Sequence, residues 1–284
     1  MGAAMAANLV KAGHEVAVCN RSQGRAGALV DLGAREAASI AEACRSEVVM
    51  TMLADDNAAA DVSFGRDGIV ANLAPGAIHV SMSTISVGLS RQLAQRHAEA
   101  EQRYVAAPVF GRPSMAAAAQ LFIVAAGDPN AIAACQPLFD AMGQKTLLIG
   151  QDPPAANLVK LSGNFLQAAA IEALGEAIAL VGKAGIDRRA YVDLLTSSVF
   201  DLPAYKIFGG LIAEKRFEPA GFALALGYKD IRLALAEAEN LRVPMPLGSL
   251  LHERFLRVLA QGGSHLDWSA IGGLATEDAG AAAP

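Results

Sequence analysis

Lys160 and Asn164 stand four positions apart, so a helix places them on one face. Their neighbours Leu158, Val159, Leu161, Phe165 and Leu166 are apolar. A lysine in such surroundings is desolvated, which disfavours its charged form and moves it towards the range of a general acid or base. An asparagine one turn away can hold a reacting oxygen or orient the ammonium. The same residues also fit a lysine whose stem lies along an interface while its ammonium reaches water. Gly227-Tyr228-Lys229-Asp230 offers a second lysine in a stretch rich in Leu and Ala. Lys229 can reach a phosphate or carboxylate, or pair with Asp230 at the surface.

Asn20-Arg21-Ser22 brings a different chemistry. A guanidinium binds a phosphate through two parallel hydrogen bonds, and a serine can add a third. The plainer role is a strand-to-helix turn with Ser22 as N-cap. The preceding residues favour the phosphate. A small-residue helix runs from Gly2 to about Ala12, Gly13 stops it, and Glu15–Cys19 alternates as a short strand does. Helix then strand is the back half of a dinucleotide-binding βαβ unit, where an acidic residue after the strand binds the ribose 2′-hydroxyl of NAD. Uncharged Asn20 followed by Arg21 suits the 2′-phosphate of NADP, with NAD as the lesser expectation. Of the G-x-G-x-x-G fingerprint only the last glycine is present, as Gly2. The first strand and the first two glycines are expected upstream of Met1.

Further candidates stand at strand ends, where open α/β sheets bind their ligands. Leu53 and Ala54 are expected in the dinucleotide groove, with Asp55 and Asp56 capping the next helix. Ser83 and Thr84 offer hydroxyls to the nicotinamide ribose or a substrate oxygen, or cap a helix. Ala106-Ala107-Pro108-Val109-Phe110-Gly111-Arg112-Pro113 reads as a stiff loop. Its prolines pre-set φ and Gly111 permits close approach, so its backbone N–H groups can meet a carboxylate, with Arg112 assisting or solvated. The five histidines show no metal-ligand spacing, and no metal is expected. His79 falls inside a strand, as a satisfied core histidine does.

The scaffold follows from the hydrophobic pattern. Short apolar runs at Glu15–Cys19, Glu47–Met52, Ile78–Met82, Arg103–Ala106, Gln120–Ala126 and Thr146–Ile149 alternate with helical stretches. That alternation predicts a doubly wound, Rossmann-like parallel α/β sheet covered on both faces and truncated at its start. After Gln151-Asp152-Pro153-Pro154 the pattern becomes helical throughout, beginning with one long helix over Ala155–Ala184 that is apolar nearly all round. Further helices are expected at Asp187–Ser197, Pro203–Ala213, Ala220–Leu241 and Pro246–Gln261, a short last turn after Asp267-Trp268-Ser269, and a frayed tail from Gly280. The expected division is residues 1–152 for dinucleotide binding and 153–284 for an all-α substrate and dimerisation domain.

Composition narrows the class. The chain is 53% hydrophobic and 18% charged, as an ordered globular protein is. Its net charge of −5 gives no hint of nucleic acid or an anionic membrane. No apolar run is expected to approach the roughly 20 residues that span a bilayer. Cys19, Cys44 and Cys135 are scattered and read as buried reduced thiols of a cytoplasmic protein.

Together these segments resemble the β-hydroxyacid dehydrogenase family, which includes 3-hydroxyisobutyrate dehydrogenases and glyoxylate or tartronate-semialdehyde reductases. Its opening G-x-G-x-M-G-x-x-M-A-x-N-L is matched from Met1-Gly2 through Met5 to Asn8-Leu9, and its N-R-[ST] by Asn20-Arg21-Ser22. Its loop D-A-P-V-S-G appears as Ala106-Ala107-Pro108-Val109-Phe110-Gly111, its K-x-x-x-N as Lys160 and Asn164, its K-D-x-x-L-A as Lys229–Ala234, and its D-W-S-A as Asp267–Ala270. The resemblance implies hydride transfer at the nicotinamide C4 with Lys160 relaying the proton and Asn164 placing the oxygen. It implies cofactor contacts at Gly2, Met5, Asn20, Arg21, Ser22, Leu53, Ala54, Thr84 and Lys229. Substrate contacts are implied at Ser83, Val109, Phe110, Gly111 and Lys229, in a homodimer or homotetramer. Phe110 stands where the family has a serine, which hints at a bulkier or less polar substrate. Imine reductases resemble this family and have apolar pockets, but usually replace the lysine. An imine reductase is therefore one alternative, and a non-catalytic dinucleotide-binding protein or inactive fragment is the other.

Overall fold

The computed structural model describes residues 1–22 and 24–280. The chain forms two compact units, Met1–Lys160 and the residues from Leu161 onward. The first contains, in order, α1 (Gly2–Lys11), β1 (Ala17–Val18), α2 (Gly27–Val30), β2 (Arg35–Glu36), α3 (Ile40–Ala43), β3 (Val48–Thr51), α4 (Asp56–Phe64), α5 (Ile69–Asn72) and β4 (Ile78–Ser81). It continues with α6 (Val87–Glu99), β5 (Arg103–Ala106), β6 (Val109–Phe110), α7 (Pro113–Ala117), β7 (Leu121–Gly127), α8 (Pro129–Met142) and β8 (Gly143–Gly150). The long α9 (Pro154–Lys183) starts in this unit and runs into the next.

Side-chain caps set several of these boundaries. Asp55, Ser86 and Asp128 each accept the N–H three residues on, at 2.9, 3.0 and 2.9 Å, opening α4, α6 and α8. Asp56 departs from expectation. It caps no helix; its carboxylate accepts the Ser86 N–H at 2.9 Å and ties the start of α4 to the start of α6.

The sheet is mixed, not wholly parallel as the alternation predicted. β3, β4 and β5 are parallel neighbours, but β7 runs antiparallel to both β5 and β6 and parallel to β8. The short stretch through α7 between β6 and β7 is too brief for the crossover that a parallel pair requires. β1 pairs with β2 in a separate two-stranded sheet. Among the described residues β1 has no second partner, and β3 has none beyond β4.

Both faces of the larger sheet are packed. Val105 and Ile123 point to one side with Met5, Leu9, Phe139 and Met142. Their strand neighbours Tyr104, Ala106 and Val124 point to the other, with Leu89, Leu93 and Ala156. That alternation is the period of two expected of strands.

A buried polar chain fixes the end of β3. Thr51 Oγ1 lies 3.0 Å from His79 Nε2, His79 Nδ1 lies 2.8 Å from His97 Nε2, and His97 Nδ1 lies 2.7 Å from Gln102 Oε1. Gln102 Nε2 donates to the carbonyl of Leu73 at 2.6 Å. With both rings neutral, every donor meets an acceptor along the chain. Burial holds His79 well below its ordinary pKa, aided by His97, and burial also lowers His97. His79 is thus the satisfied core histidine that its strand position predicted.

The second unit adds α10 (Arg188–Thr196), α11 (Pro203–Ala213), α12 (Leu224–Asn240), α13 (Pro246–Ala260) and α14 (Ala270–Asp278) to the rest of α9. Its core is built on Ile171, Ile212, Leu251, Phe255 and Trp268. Asp267 does more than open a last turn: it accepts the N–H groups of Gly221 and Phe222 at 2.9 and 3.1 Å and that of Ser269 at 3.0 Å. The segment beyond it is the nine-residue α14. The expected tail lies, after Gly280, outside the described residues.

α9 corrects one expectation. By length and composition it is apolar enough to cross a membrane, with a mean hydropathy of 1.5 over its best window. Yet Ala168, Ile171, Leu174 and Ile178 lie in the core of the second unit, and buried Glu172 receives a hydrogen bond from Arg254 Nε at 2.6 Å. Those are the marks of a core helix. It is not covered on all sides, because Leu166 and Leu180 are 66% and 74% exposed.

Candidate active site

Lys160 is 7% exposed, on the first third of α9. Its ammonium sits over the ring of Phe110, 4.3 Å from the centroid. This is a cation–π contact, sheltered from water on that side. Phe110 ends β6, whose register opposite β7 pairs it with Phe122. Val109 before it is buried in the sheet core, and Gly111 after it has φ +146°. A Cβ at Gly111 would also fall 2.6 Å from Leu121 Cδ2, so this turn requires glycine on both counts. The expected stiff loop therefore contains a short strand. The loop side chain under the lysine ammonium is an aromatic ring in place of the family serine.

Asn164 is buried one turn further along α9. Within the second unit its Nδ2 donates to Asp230 Oδ2 at 2.5 Å. Asp230 Oδ1 in turn lies 3.1 Å from Lys229 Nζ. The alternative of a surface Lys–Asp pair is overturned, because Asp230 is 1% exposed. A buried carboxylate needs charge compensation and hydrogen bonds, and here it takes the ammonium of Lys229 and the amide of Asn164. Its effect is to orient Asn164. The sequence offers Asp230 only as a surface partner of Lys229, although an acid on a helix otherwise rich in Leu and Ala is a signal of burial with a partner.

The remaining candidates fall at strand ends. Because β3, β4 and β5 are parallel neighbours, the residues that follow them leave the sheet along one edge. Leu53 is half-buried and Ala54 exposed there. Ser83 is fully buried, and its Oγ accepts the Leu53 N–H at 2.7 Å, joining two strand-end loops. Thr84 beside it is half-buried. Gly2 opens α1 against the loop after β3: a Cβ there would sit 3.5 Å from Met52 Cβ, which is ordinary contact. Met5 is 4% exposed and packs in the sheet core. Asn20, Arg21 and Ser22 are exposed after β1, with Asn20 Nδ2 donating to the Ser22 carbonyl at 3.3 Å. Among the described residues Ser22 caps no helix, since α2 starts at Gly27. That leaves the Arg21 guanidinium and the Ser22 hydroxyl at the surface.

Cys44 and Cys135 are buried, and burial pushes both thiols up to about 11, but Cys19 is exposed against expectation. Among the described residues no cluster of His, Cys, Asp or Glu is placed to hold a metal ion.

Comparison with known proteins agrees with this fold. Residues 1–150 match the family model for the NAD binding domain of 6-phosphogluconate dehydrogenase. Residues 155–274 match that for the NAD-binding domain of NADP-dependent 3-hydroxyisobutyrate dehydrogenase. The chain is 41% identical to the uncharacterized oxidoreductase YfjR of Bacillus subtilis, over 95% of each chain. It is 32% identical to glyoxylate/succinic semialdehyde reductase 1 of Arabidopsis thaliana, over 95% of this chain and 93% of that one. Among solved structures, a 3-hydroxyisobutyrate dehydrogenase of Mycobacterium tuberculosis is 28% identical, covers 96% of this chain and 94% of its own, and superposes with a TM-score of 0.85. A dinucleotide-type sheet, a sequestered lysine on the long helix and matches along nearly the whole chain lead to one conclusion: this protein is an NAD(P)-binding oxidoreductase of the β-hydroxyacid dehydrogenase family.

Proposed function

We propose that the protein transfers a hydride between NADP(H) and a hydroxyacid or its oxo or semialdehyde partner, with Lys160 as the general acid/base. The observation that carries this is the Lys160 ammonium, buried on α9 and held over the Phe110 ring. The cofactor, when bound, supplies or accepts the hydride at its nicotinamide. The chain's own donors fit such a group: an exposed guanidinium at Arg21 for a 2′-phosphate, and a buried, unpaired carboxamide at Asn157. Lys160 then hands a proton to the carbonyl oxygen, or takes one from the hydroxyl in the reverse direction. Asn164, its amide fixed by Asp230, is the group that places that oxygen.

Phe110 shapes the substrate. A ring in place of a hydroxyl removes a donor to a carboxylate and adds apolar surface, so a semialdehyde with a longer carbon chain suits the site better than a short, polar one. In support of a homodimer or homotetramer, the second unit exposes Leu166, Leu180, Leu194 and Val199, apolar surface that a second copy would cover. A soluble, cytoplasmic setting fits the same reading.

A panel of aliphatic semialdehydes, glyoxylate and cyclic imines, assayed with NADPH, tests the reaction. Turnover of semialdehydes above imines is expected. The reverse order would make the protein an imine reductase, and no turnover at all alongside tight NADPH binding would make it a binding protein. The choice of cofactor has its own test in Arg21→Ala. Loss of hydrogen bonds to a phosphate should weaken NADPH by about 10–100-fold. NADH should change little, so equal losses for the two would remove the 2′-phosphate contact.

A further inference from the structure

Asn157 lies on α9 three residues before Lys160 and seven before Asn164, so the three share one stripe of the helix. It is 1% exposed. Among the described residues neither its Nδ2 nor its Oδ1 has a hydrogen-bond partner. A buried carboxamide with both ends unpaired costs stability, and a hydrophobic residue of similar size would remove that cost. Ala156 and Val159 beside it show that apolar residues pack on this turn, since both join the cluster around Leu93 and Tyr104. The amide therefore calls for a ligand.

The unmet needs specify that ligand's chemistry. A carboxylate would accept from Nδ2 and leave Oδ1 unsatisfied. A hydroxyl would serve one end only. A primary carboxamide offers one acceptor and one donor side by side, matching Asn157 at both. The cofactor of this family carries such a group on its nicotinamide ring, and the neighbouring Lys160 is the residue assigned to proton transfer beside that ring.

We propose that Asn157 recognises the nicotinamide carboxamide through two reciprocal hydrogen bonds, Nδ2 donating to its carbonyl and Oδ1 accepting from its amide. The residue sets the orientation of the ring, and so which face is presented for transfer, without handling a proton itself. The inference rests on the reading of the Lys160 face as the nicotinamide end of the site.

Binding titrations with NADPH and with reduced 3-acetylpyridine adenine dinucleotide phosphate test it, on wild type, Asn157→Ala and Asn157→Leu. The acetyl analogue keeps the carbonyl and lacks the amide donor. Wild type should bind NADPH about tenfold more tightly than the analogue, and Asn157→Ala should bring the two affinities to within about twofold. Asn157→Leu, without cofactor, should melt at or above the wild-type temperature, because an unpaired amide has been removed. An unchanged affinity ratio in Asn157→Ala overturns the proposal. A marked drop in the melting temperature of Asn157→Leu overturns it too, by making the amide structural. If wild type binds no NADPH, the cofactor assignment fails with it. None of these readouts needs turnover, so a protein that binds as expected but reduces no semialdehyde leaves Asn157 in place and refutes the proposed reaction alone.

Discussion

Replacing Lys160 with alanine should lower kcat/KM for the true substrate by about 100–10,000-fold, the range over which a positioned acid or base contributes. The protein should stay folded. The substitution removes one cation–π pair with Phe110, worth about 0.5–2 kcal/mol in a sheltered site. NADPH binding should be nearly unaffected, which separates loss of proton transfer from loss of the site. Lys160→Arg sharpens the experiment. Arginine preserves the charge over the ring but holds its proton at every accessible pH. If Lys160 acts through charge alone, the arginine variant should recover much of the activity. If it moves a proton, arginine should be nearly as inactive as alanine, and that is the expected result. Steady-state kinetics on the three proteins decide, and full turnover in Lys160→Ala would remove the general acid/base assignment.

The lysine was legible in the sequence because its spacing from Asn164 and its apolar surroundings together specify a buried polar face. The same reasoning placed most of the larger elements, since helices such as α6, α11 and α13 and strands such as β5 carry enough residues to show their period. It overlooked β2 and β6, two residues each, because pairing to a neighbour and not local pattern defines them. It took the sheet as parallel because alternation of strands and helices does not report the direction in which β7 enters. At the site, the sequence alone leaves the place of Asp230 open for a related cause. A Lys–Asp pair reads as solvated until the approach of Asn164 from another helix is seen. Asn157 gave no signal in Ala-Ala-Asn-Leu, because its meaning lies in partners it lacks. His79 was read correctly because a strand position fixes burial, and a buried imidazole must be paired.

Substituting Gly175 should have the largest effect on stability. This glycine lies on α9 where α14 crosses it within the second unit. A Cβ built there would fall 2.3 Å from the Gly272 carbonyl oxygen and 2.5 Å from Gly272 Cα. Those atoms are backbone, so relief requires one helix to move from the other. From the other side, a Cβ on Gly272 would meet the Ile171 carbonyl oxygen at 2.8 Å and Ile212 Cδ1 at 2.6 Å. The crossing is therefore closed on both helices. Alanine is favoured over glycine in a helix interior by roughly 1 kcal/mol, which opposes the clash. Overpacking costs about 1–3 kcal/mol and more where backbone must shift, so the clash should win for alanine and dominate for leucine. Gly182 on the same helix supplies the contrast. A Cβ there would meet Arg188 Nε at 2.5 Å and Arg188 Cγ at 3.2 Å, side-chain atoms and not backbone. Gly182→Ala should then cost less than Gly175→Ala, because a side chain and not a helix backbone has to give while the helix propensity is gained. Denaturant unfolding of the two alanine variants measures the difference directly. Equal stabilities would mean that the α9–α14 crossing has slack. A large gap would show that the helix bearing Asn164 is held in place beside Asp230 by contact between two backbones, where a shift of about 1 Å is enough to spoil a reacting geometry.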